Sequence, residues 1–191
     1  MRESVRFFGS FLAHPLRVGA VLPTSQRTVR LMLDMANLPA ARRVAEFGAG
    51  TGVYTTEILK RVGPQAHVVA FEIDPSLAAD LSARIEDPRL QIVTDSAERA
   101  GEYLAGKKMD VVVSSLPFTS MSKQIRRAIL DQATRILRDD GVMLVIQYST
   151  VLRRDLQRRF ASVRRSISLF NVPPAFLFAC REPLMKGISI R

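Results

Sequence analysis

An apolar run from Arg43 to Phe47 leads into Gly48-Ala49-Gly50-Thr51-Gly52, and a helix-period stretch from Val53 to Arg61 follows at once. This order predicts a strand, a sharp turn and a helix. Glycines at alternate positions let the backbone turn tightly and approach a ligand closely, which a Cβ would prevent. A second apolar run ends at Glu72, 24 residues after Gly48. A carboxylate at the tip of that strand accepts both hydroxyls of a ribose. The two features together predict a nucleoside-type cofactor lying across the carboxyl ends of parallel strands.

From Arg43 onward, strands and helices alternate. Strands are predicted at Arg43–Phe47, His67–Glu72, Leu90–Thr94, Met109–Ser114, Val142–Gln147, Ser166–Phe170 and Ala175–Phe178. Helices are predicted at Val53–Arg61, Ser76–Ile85, Ala97–Leu104, Ser122–Leu137 and Leu152–Phe160. Nearly continuous apolar strands between helices imply a parallel sheet covered on both faces, an α/β fold. Asn171-Val172-Pro173-Pro174 leaves no room for a helix between the last two strands, so they should pair antiparallel at a sheet edge. Upstream, Ser4–Ala13 has the spacing of a short amphipathic helix, and Thr24 or Ser25 can cap a second helix running to about Met35. The expectation is a single domain over residues 1–191, with N-terminal helices in 1–36 and the core in 42–181.

Composition narrows the setting. Lys and Arg number 28 against 18 Asp and Glu, a net charge of +10. That excess favours a polyanion, either nucleic acid or an anionic membrane surface. The single Cys180 lies in the apolar run Ala175–Cys180. It fits a buried, inert thiol in a reducing compartment. His14 and His67 give no metal-ligand cluster with it, so no metal site is expected. No apolar stretch reaches the roughly 20 residues that span a bilayer, and His14, Pro15 and Arg17 interrupt any signal-peptide core. The sequence therefore predicts a cytoplasmic chain.

The spacing of the turn separates cofactors. A dinucleotide fingerprint has its third glycine three positions after the second, where this chain carries Val53. Its Glu-x-Gly-x-Gly-x-Gly pattern resembles the first motif of class I S-adenosylmethionine-dependent methyltransferases. That resemblance implies a Rossmann-like, seven-stranded, mostly parallel sheet with helices on both faces and a C-terminal antiparallel hairpin. It also implies S-adenosyl-L-methionine as cofactor and S-adenosyl-L-homocysteine as product. Glu46, Gly48, Ala49, Gly50, Gly52, Glu72, Ile73, Asp95, Ser96 and Ser114 are the cofactor-binding candidates. Asp95 also reads as a cap for the next helix.

Strand 4 ends in Ser114-Ser115-Leu116-Pro117-Phe118. The segment is similar to the Asn-Leu-Pro-Phe motif that amino-directed methyltransferases place beside the transferred methyl. Here Ser115 stands in place of the asparagine. A nucleobase amino group has its lone pair delocalised into the ring, and two acceptors must orient it. An alkyl amine has a localised lone pair and needs only to lose a proton and be aimed. Ser115 therefore favours an aliphatic amine. Ser115, Leu116, Pro117 and Tyr148 are the catalytic candidates. Tyr148 offers either a hydrogen bond to the amine or a ring face for a methylated ammonium. Its plain alternative is a tyrosine at a sheet edge.

The chain as a whole resembles bacterial phospholipid N-methyltransferases of the phosphatidylethanolamine-methylating type, a family similar in sequence to rRNA adenine methyltransferases. The residues that carry this are Pro15-Leu16-Arg17-Val18-Gly19-Ala20-Val21-Leu22-Pro23-Thr24-Ser25, Ser114 to Phe118, Ile146-Gln147-Tyr148 and Asn171-Val172-Pro173-Pro174-Ala175. The resemblance implies an amino phospholipid substrate at the inner face of the cell membrane. The N-terminal helix supports this, because Arg2, Arg6, Phe7, Phe8, Phe11 and Arg17 suit an anionic surface. The alternative packs those phenylalanines on the domain. Nucleic acid is the rival partner, in an rRNA adenine N6-methyltransferase. A second alternative is a non-catalytic lipid- or RNA-binding protein that keeps the fold, against which the intact Glu46, Gly48, Gly50 and Glu72 set argues. The basic stretch Arg153-Arg154-Asp155-Leu156-Gln157-Arg158-Arg159 reads either as a solvated helix face or as a phosphate contact.

Overall fold

Strand β1 (Arg43–Phe47) is buried on both of its faces, with Val44 and Glu46 toward one side and Ala45 and Phe47 toward the other. It belongs to the computed structural model, which describes residues 24–184. The helix expected over Ser4–Ala13, with Arg2, Arg6, Phe7, Phe8, Phe11 and Arg17, lies outside the described residues. β1 pairs in parallel with β2 (His67–Phe71) and β4 (Met109–Ser114), in the register Phe47↔Phe71 and Phe47↔Ser114. β3 (Leu90–Val93) extends the sheet beyond β2, and β5 (Leu137–Gln147) extends it beyond β4. β7 (Ala175–Pro183) runs antiparallel to β5 and to the edge strand β6 (Phe160–Ser168). The sheet has seven strands in the order β3-β2-β1-β4-β5-β7-β6.

Two apolar layers sandwich this sheet. On one side α1 (Gln26–Leu33) and α2 (Val53–Leu59) bury Val29, Met32, Leu33, Tyr54 and Ile58 against Val44, Val68, Val111 and Val113. On the other, α5 (Lys123–Ile136) buries Ile129, Leu130, Ala133 and Ile136 against Phe47, Phe71 and Phe178. Each fully buried Val, Leu, Ile, Met or Phe side chain among these is worth about 1.5–3 kcal/mol of transfer free energy. Two further helices, α3 (Pro75–Arg84) and α4 (Ala100–Tyr103), sit in the crossovers from β2 to β3 and from β3 to β4. The chain leaves β1 toward β3 and returns to β4, so strand order reverses between β1 and β4. Ligands of open α/β sheets bind outside the carboxyl ends at such a point.

The carboxyl-terminal third departs from the sequence expectation. The helix expected at Leu152–Phe160 shrinks to α6 (Arg153–Gln157), and β6 starts at Phe160 instead of Ser166. Phe160 is buried and pairs with Pro183, while most of β6 is an exposed edge with no clean alternation to read. β5 likewise begins at Leu137, across a register shift opposite Met109 and Val111. The stretch Ala97–Leu104 splits into a 3₁₀ turn, Ala97–Arg99, and the four-residue α4. The basic stretch does not act as one set. Arg159 is buried, donating from Nε to Asp131 at 2.7 Å and from Nη1 to the Asp155 carbonyl at 3.0 Å. It holds α6 to α5, whereas Arg154 and Arg158 remain exposed. Cys180 is buried, and burial pushes its thiol up to about 12, which leaves it unreactive.

Candidate functional site

The glycine turn between β1 and α2 is built by left-handed backbone. Gly48 has φ +79° and Gly52, the cap of α2, has φ +77°. A Cβ on Gly48 would stand 2.6 Å from Leu116 Cδ2, so this glycine also lets the Leu116 segment close in. The Gly48 and Ala49 amides both donate to the Phe71 carbonyl, at 2.9 and 3.1 Å, which ties the turn to the end of β2.

Glu72 follows directly. Its carboxylate is buried and accepts from Gly50 N at 2.8 Å and from Asp74 N at 2.9 Å. One bond per oxygen fixes the carboxylate and leaves further lone pairs for a diol. Ile73 is half-buried beside it. Asp74 then caps α3 by accepting from Ser76 N and Leu77 N, with Pro75 in the first helical turn.

Asp95 stands just past β3. The cap of the following 3₁₀ turn is Ser96, not Asp95, since Ser96 Oγ accepts from Glu98 N at 3.3 Å. Asp95 instead accepts from Ser96 N at 2.7 Å, Tyr103 Oη at 2.5 Å and Arg99 Nη1 at 2.7 Å. The Tyr103 hydroxyl bond leads in holding its carboxyl below the usual range. Tyr103 itself packs edge-on against Phe71. The spacing of Tyr103, eight residues after Asp95, gave no sign of this partnership in the sequence.

Glu46 sits one layer deeper, under α2. Its Oε2 accepts from Thr55 Oγ1 at 2.7 Å, and Oε1 has no hydrogen-bond partner among the described residues. Burial, opposed by the Thr55 hydroxyl and aided by the Glu72 charge, raises its carboxyl from 4.5 to about 7. Ser114 Oγ, at the tip of β4, is buried and likewise lacks a partner among the described residues. Unpaired buried acceptors are costly. Here both lie next to the glycine turn, so the site fits a ligand that brings donors to them.

The strand-4 segment faces this turn across the switch point. Ser115 N donates to the Phe47 carbonyl at 3.2 Å, and Ser115 Oγ donates to the Gly48 carbonyl at 2.8 Å. Pro117, at φ −79° and ψ 69°, makes an inverse γ-turn in which Phe118 N donates to the Leu116 carbonyl at 2.9 Å. The buried Gln147 donates to the same carbonyl from Nε2, also at 2.9 Å.

Tyr148 is half-buried just beyond β5. Its hydroxyl accepts from Asn171 Nδ2 at 3.2 Å and lies 3.4 Å from Thr24 Oγ1. Asn171 Oδ1 in turn accepts from Ser25 N, Ser25 Oγ and Thr28 Oγ1. The Thr24–Ser25, Gln147–Tyr148 and Asn171–Ala175 segments, far apart in sequence, thus meet at one mouth. In the sequence Thr24, Gln147 and Asn171 mark the family resemblance without a site role, and Thr55 carries no signal at all.

The sequence signature of ribosomal RNA adenine dimethylases matches residues 20–173. The chain belongs to that family. Among curated relatives, the ornithine lipid N-methyltransferase of Singulisphaera acidiphila is 28% identical over 186 residues, covering 95% of this chain and 97% of that one. A probable ribosomal RNA small subunit methyltransferase A of Methanothermobacter thermautotrophicus is 29% identical over 153 residues, 80% of this chain and 50% of the relative. Of solved structures, the N-methyltransferase NodS of Bradyrhizobium japonicum WM9, in complex with S-adenosyl-L-homocysteine, aligns with TM-score 0.70 at 13% identity over 95% of this chain and 98% of that one. The protein is an S-adenosylmethionine-dependent methyltransferase with a Rossmann-like fold. Both lipid and rRNA methyltransferases stand among this family member's relatives.

Proposed function

We propose that this methyltransferase acts on the amino head group of a membrane lipid, phosphatidylethanolamine or its methylated derivatives. The observation that carries the reading is that the Leu116 carbonyl, the backbone acceptor of the strand-4 segment, is already occupied. A nucleobase amino group needs a side-chain acceptor and a backbone carbonyl to orient it. Here position 115 offers a short hydroxyl, its proton held by the Gly48 carbonyl, in place of a planar amide oxygen, and the Leu116 carbonyl already accepts from Phe118 N and Gln147 Nε2, one donor for each lone pair. A localised alkyl amine lone pair requires neither. The two-chain coverage of the ornithine lipid relative supports the same class, against half coverage for the rRNA relative.

S-adenosylmethionine supplies an electrophilic methyl on a sulfonium. Glu72 would hold its ribose, Asp95 with Ser96 and Ile73 its adenine, and Glu46 and Ser114 donors near its amino-acid end. The main chain of Gly48, Ala49, Gly50 and Gly52 would pass beneath it. The amine must be unprotonated to attack, so a proton goes to water first, and the C–S bond breaks as the N–C bond forms. Ser115, Leu116 and Pro117 wall the approach, and Tyr148 aims the nitrogen through its hydroxyl or ring. Attachment to the inner face of the membrane would come from Arg2, Arg6, Phe7, Phe8, Phe11 and Arg17. No helix among the described residues is long and apolar enough to cross a membrane.

The competing reading, an RNA adenine N6-methyltransferase, is favoured by Leu116-Pro117-Phe118 and the family match. Incubation with labelled S-adenosylmethionine and either mixed phospholipid vesicles or total RNA separates the two. Label is expected in the lipid fraction. Label confined to RNA overturns the proposal.

A further inference from the structure

The turn between β6 and β7 carries an unusual load of exposed apolar side chains. Leu169 is 76% exposed, Val172 70% and Phe170 50%, and Ile167 precedes them on the edge strand. Monomers scatter single apolar residues over their surfaces, but a contiguous cluster marks an interaction site. This cluster sits where it matters. Because β7 runs antiparallel to β5, with Phe176 opposite Gln147, the turn projects from the carboxyl end of the sheet. Asn171, in the middle of the turn, donates to Tyr148 at the mouth of the candidate site.

Its surroundings are cationic. No carboxylate occurs between Asp155 and Glu182, while Arg164 and Arg165 stand exposed on β6. The Arg27 guanidinium lies 4.9 Å from the centroid of the Phe170 ring, and Arg165 lies 5.7 Å from that of Phe176. A guanidinium stacked on a ring face still presents its N–H edge to phosphate while the apolar tip enters an acyl boundary. Nucleic acid would use the same charge, but it wants open ring faces for stacking. Arg27 covers one face of Phe170, and aliphatic Leu169 and Val172 form the rest of the tip.

We infer that the β6–β7 turn docks the methyltransferase on an anionic lipid bilayer, inserting Leu169, Phe170 and Val172 into the interface while Arg27, Arg164 and Arg165 contact lipid phosphates. This rests on the lipid reading above and adds a contact made by the folded domain itself. It places the site mouth against the surface that holds the substrate, so an amine head group reaches Tyr148 without leaving the bilayer.

The chain contains no tryptophan, so Phe170→Trp in the full-length protein introduces a single fluorescent reporter. Vesicles of phosphatidylcholine with phosphatidylglycerol should shift its emission to the blue, and lipids brominated along the acyl chain should quench it. A Leu169→Ser, Phe170→Ser, Val172→Ser triple variant should lose on the order of tenfold in vesicle partitioning. Its unfolding temperature should hold, since Ser168 and Asn171 are untouched. No shift with vesicles, partitioning equal to that of the parent, or a shift with RNA in their place would each overturn the inference. Methylation of the amino lipid dispersed in detergent micelles is scored separately. Methylation without a reporter shift removes the docking turn and leaves the lipid reaction standing. A reporter shift with vesicles alone, together with RNA as the only methyl acceptor, removes the lipid reaction and leaves the docking turn.

Discussion

Glu46 offers a quantitative test of how the site is built. Its carboxyl is buried, satisfied on one oxygen by Thr55 and unsatisfied on the other, and it is raised from 4.5 to about 7 chiefly by burial. In the cofactor-free protein this couples folding to pH. Between about pH 4.5 and 7 the unfolded chain has Glu46 ionised, while the folded chain still binds the proton. The folded state then holds one proton more, so stability falls by about 1.4 kcal/mol per pH unit across that window. The stabilisation is fully present below about 4.5 and is lost as pH rises through about 7, a total of about 3 kcal/mol. Glu46→Gln keeps the shape and an acceptor for Thr55 but has no proton to release. Urea unfolding of both proteins from about pH 5 to 8 should show a difference in stability that grows in favour of the variant as pH rises and levels near 7. The variant's constant offset, from a buried amide lacking a partner, does not alter that slope. Parallel curves for the two proteins would refute the argument that burial, uncompensated by donors, governs this carboxyl. Cofactor binding gives a second readout. If the ligand brings a donor to Oε1, affinity in the parent protein should increase with pH through the same window and stay flat in the variant.

Glu72→Ala should abolish measurable S-adenosylmethionine binding by calorimetry, since it removes the ribose acceptor and the partner of Gly50 N; unchanged affinity would refute the assignment. Gly52→Ala imposes φ +77° on an L-residue and drives its Cβ into Leu81 Cδ1, so unfolding should be easier by about 2–3 kcal/mol. A thermal shift within error of zero would show that the turn relaxes. Asn171→Ala strips partners from Ser25, Thr28 and Tyr148, and should cost about 1–3 kcal/mol in denaturant unfolding. A null effect there would mean that the N-terminal segment and the β6–β7 turn are not held to each other by this side chain.

The parts of this protein that were legible in sequence are those whose causes are local. The central parallel strands announced themselves as short apolar runs because both of their faces are buried, as in Val44 to Phe47. The glycine turn and Glu72 were legible because positive φ and close approach demand glycine, and because the acid must end its strand. Even the hairpin of β6 and β7 followed from a connection too short for a helix. Other features had no local cause. β6 is an exposed edge whose residues carry no alternation, so only its pairing with β7 makes it a strand from Phe160. Arg159 looked like one more surface charge until packing set it against Asp131. Asn171 meets Ser25 across a separation of 146 residues, a contact that exists only because β7 lies between β5 and β6. Residue identity alone showed that Ser115 departs from an amide motif. That its proton is held by the Gly48 carbonyl and that Gln147 fills the Leu116 carbonyl was decided by the approach of β1 and β5 to the same turn. Sequence by itself determined the strand–turn–helix unit and the carboxylate that follows it, since backbone sterics and burial act within a few residues. Tertiary structure decided which distant polar groups share a mouth, because hydrogen-bond partners are assigned by sheet order and register and not by spacing along the chain.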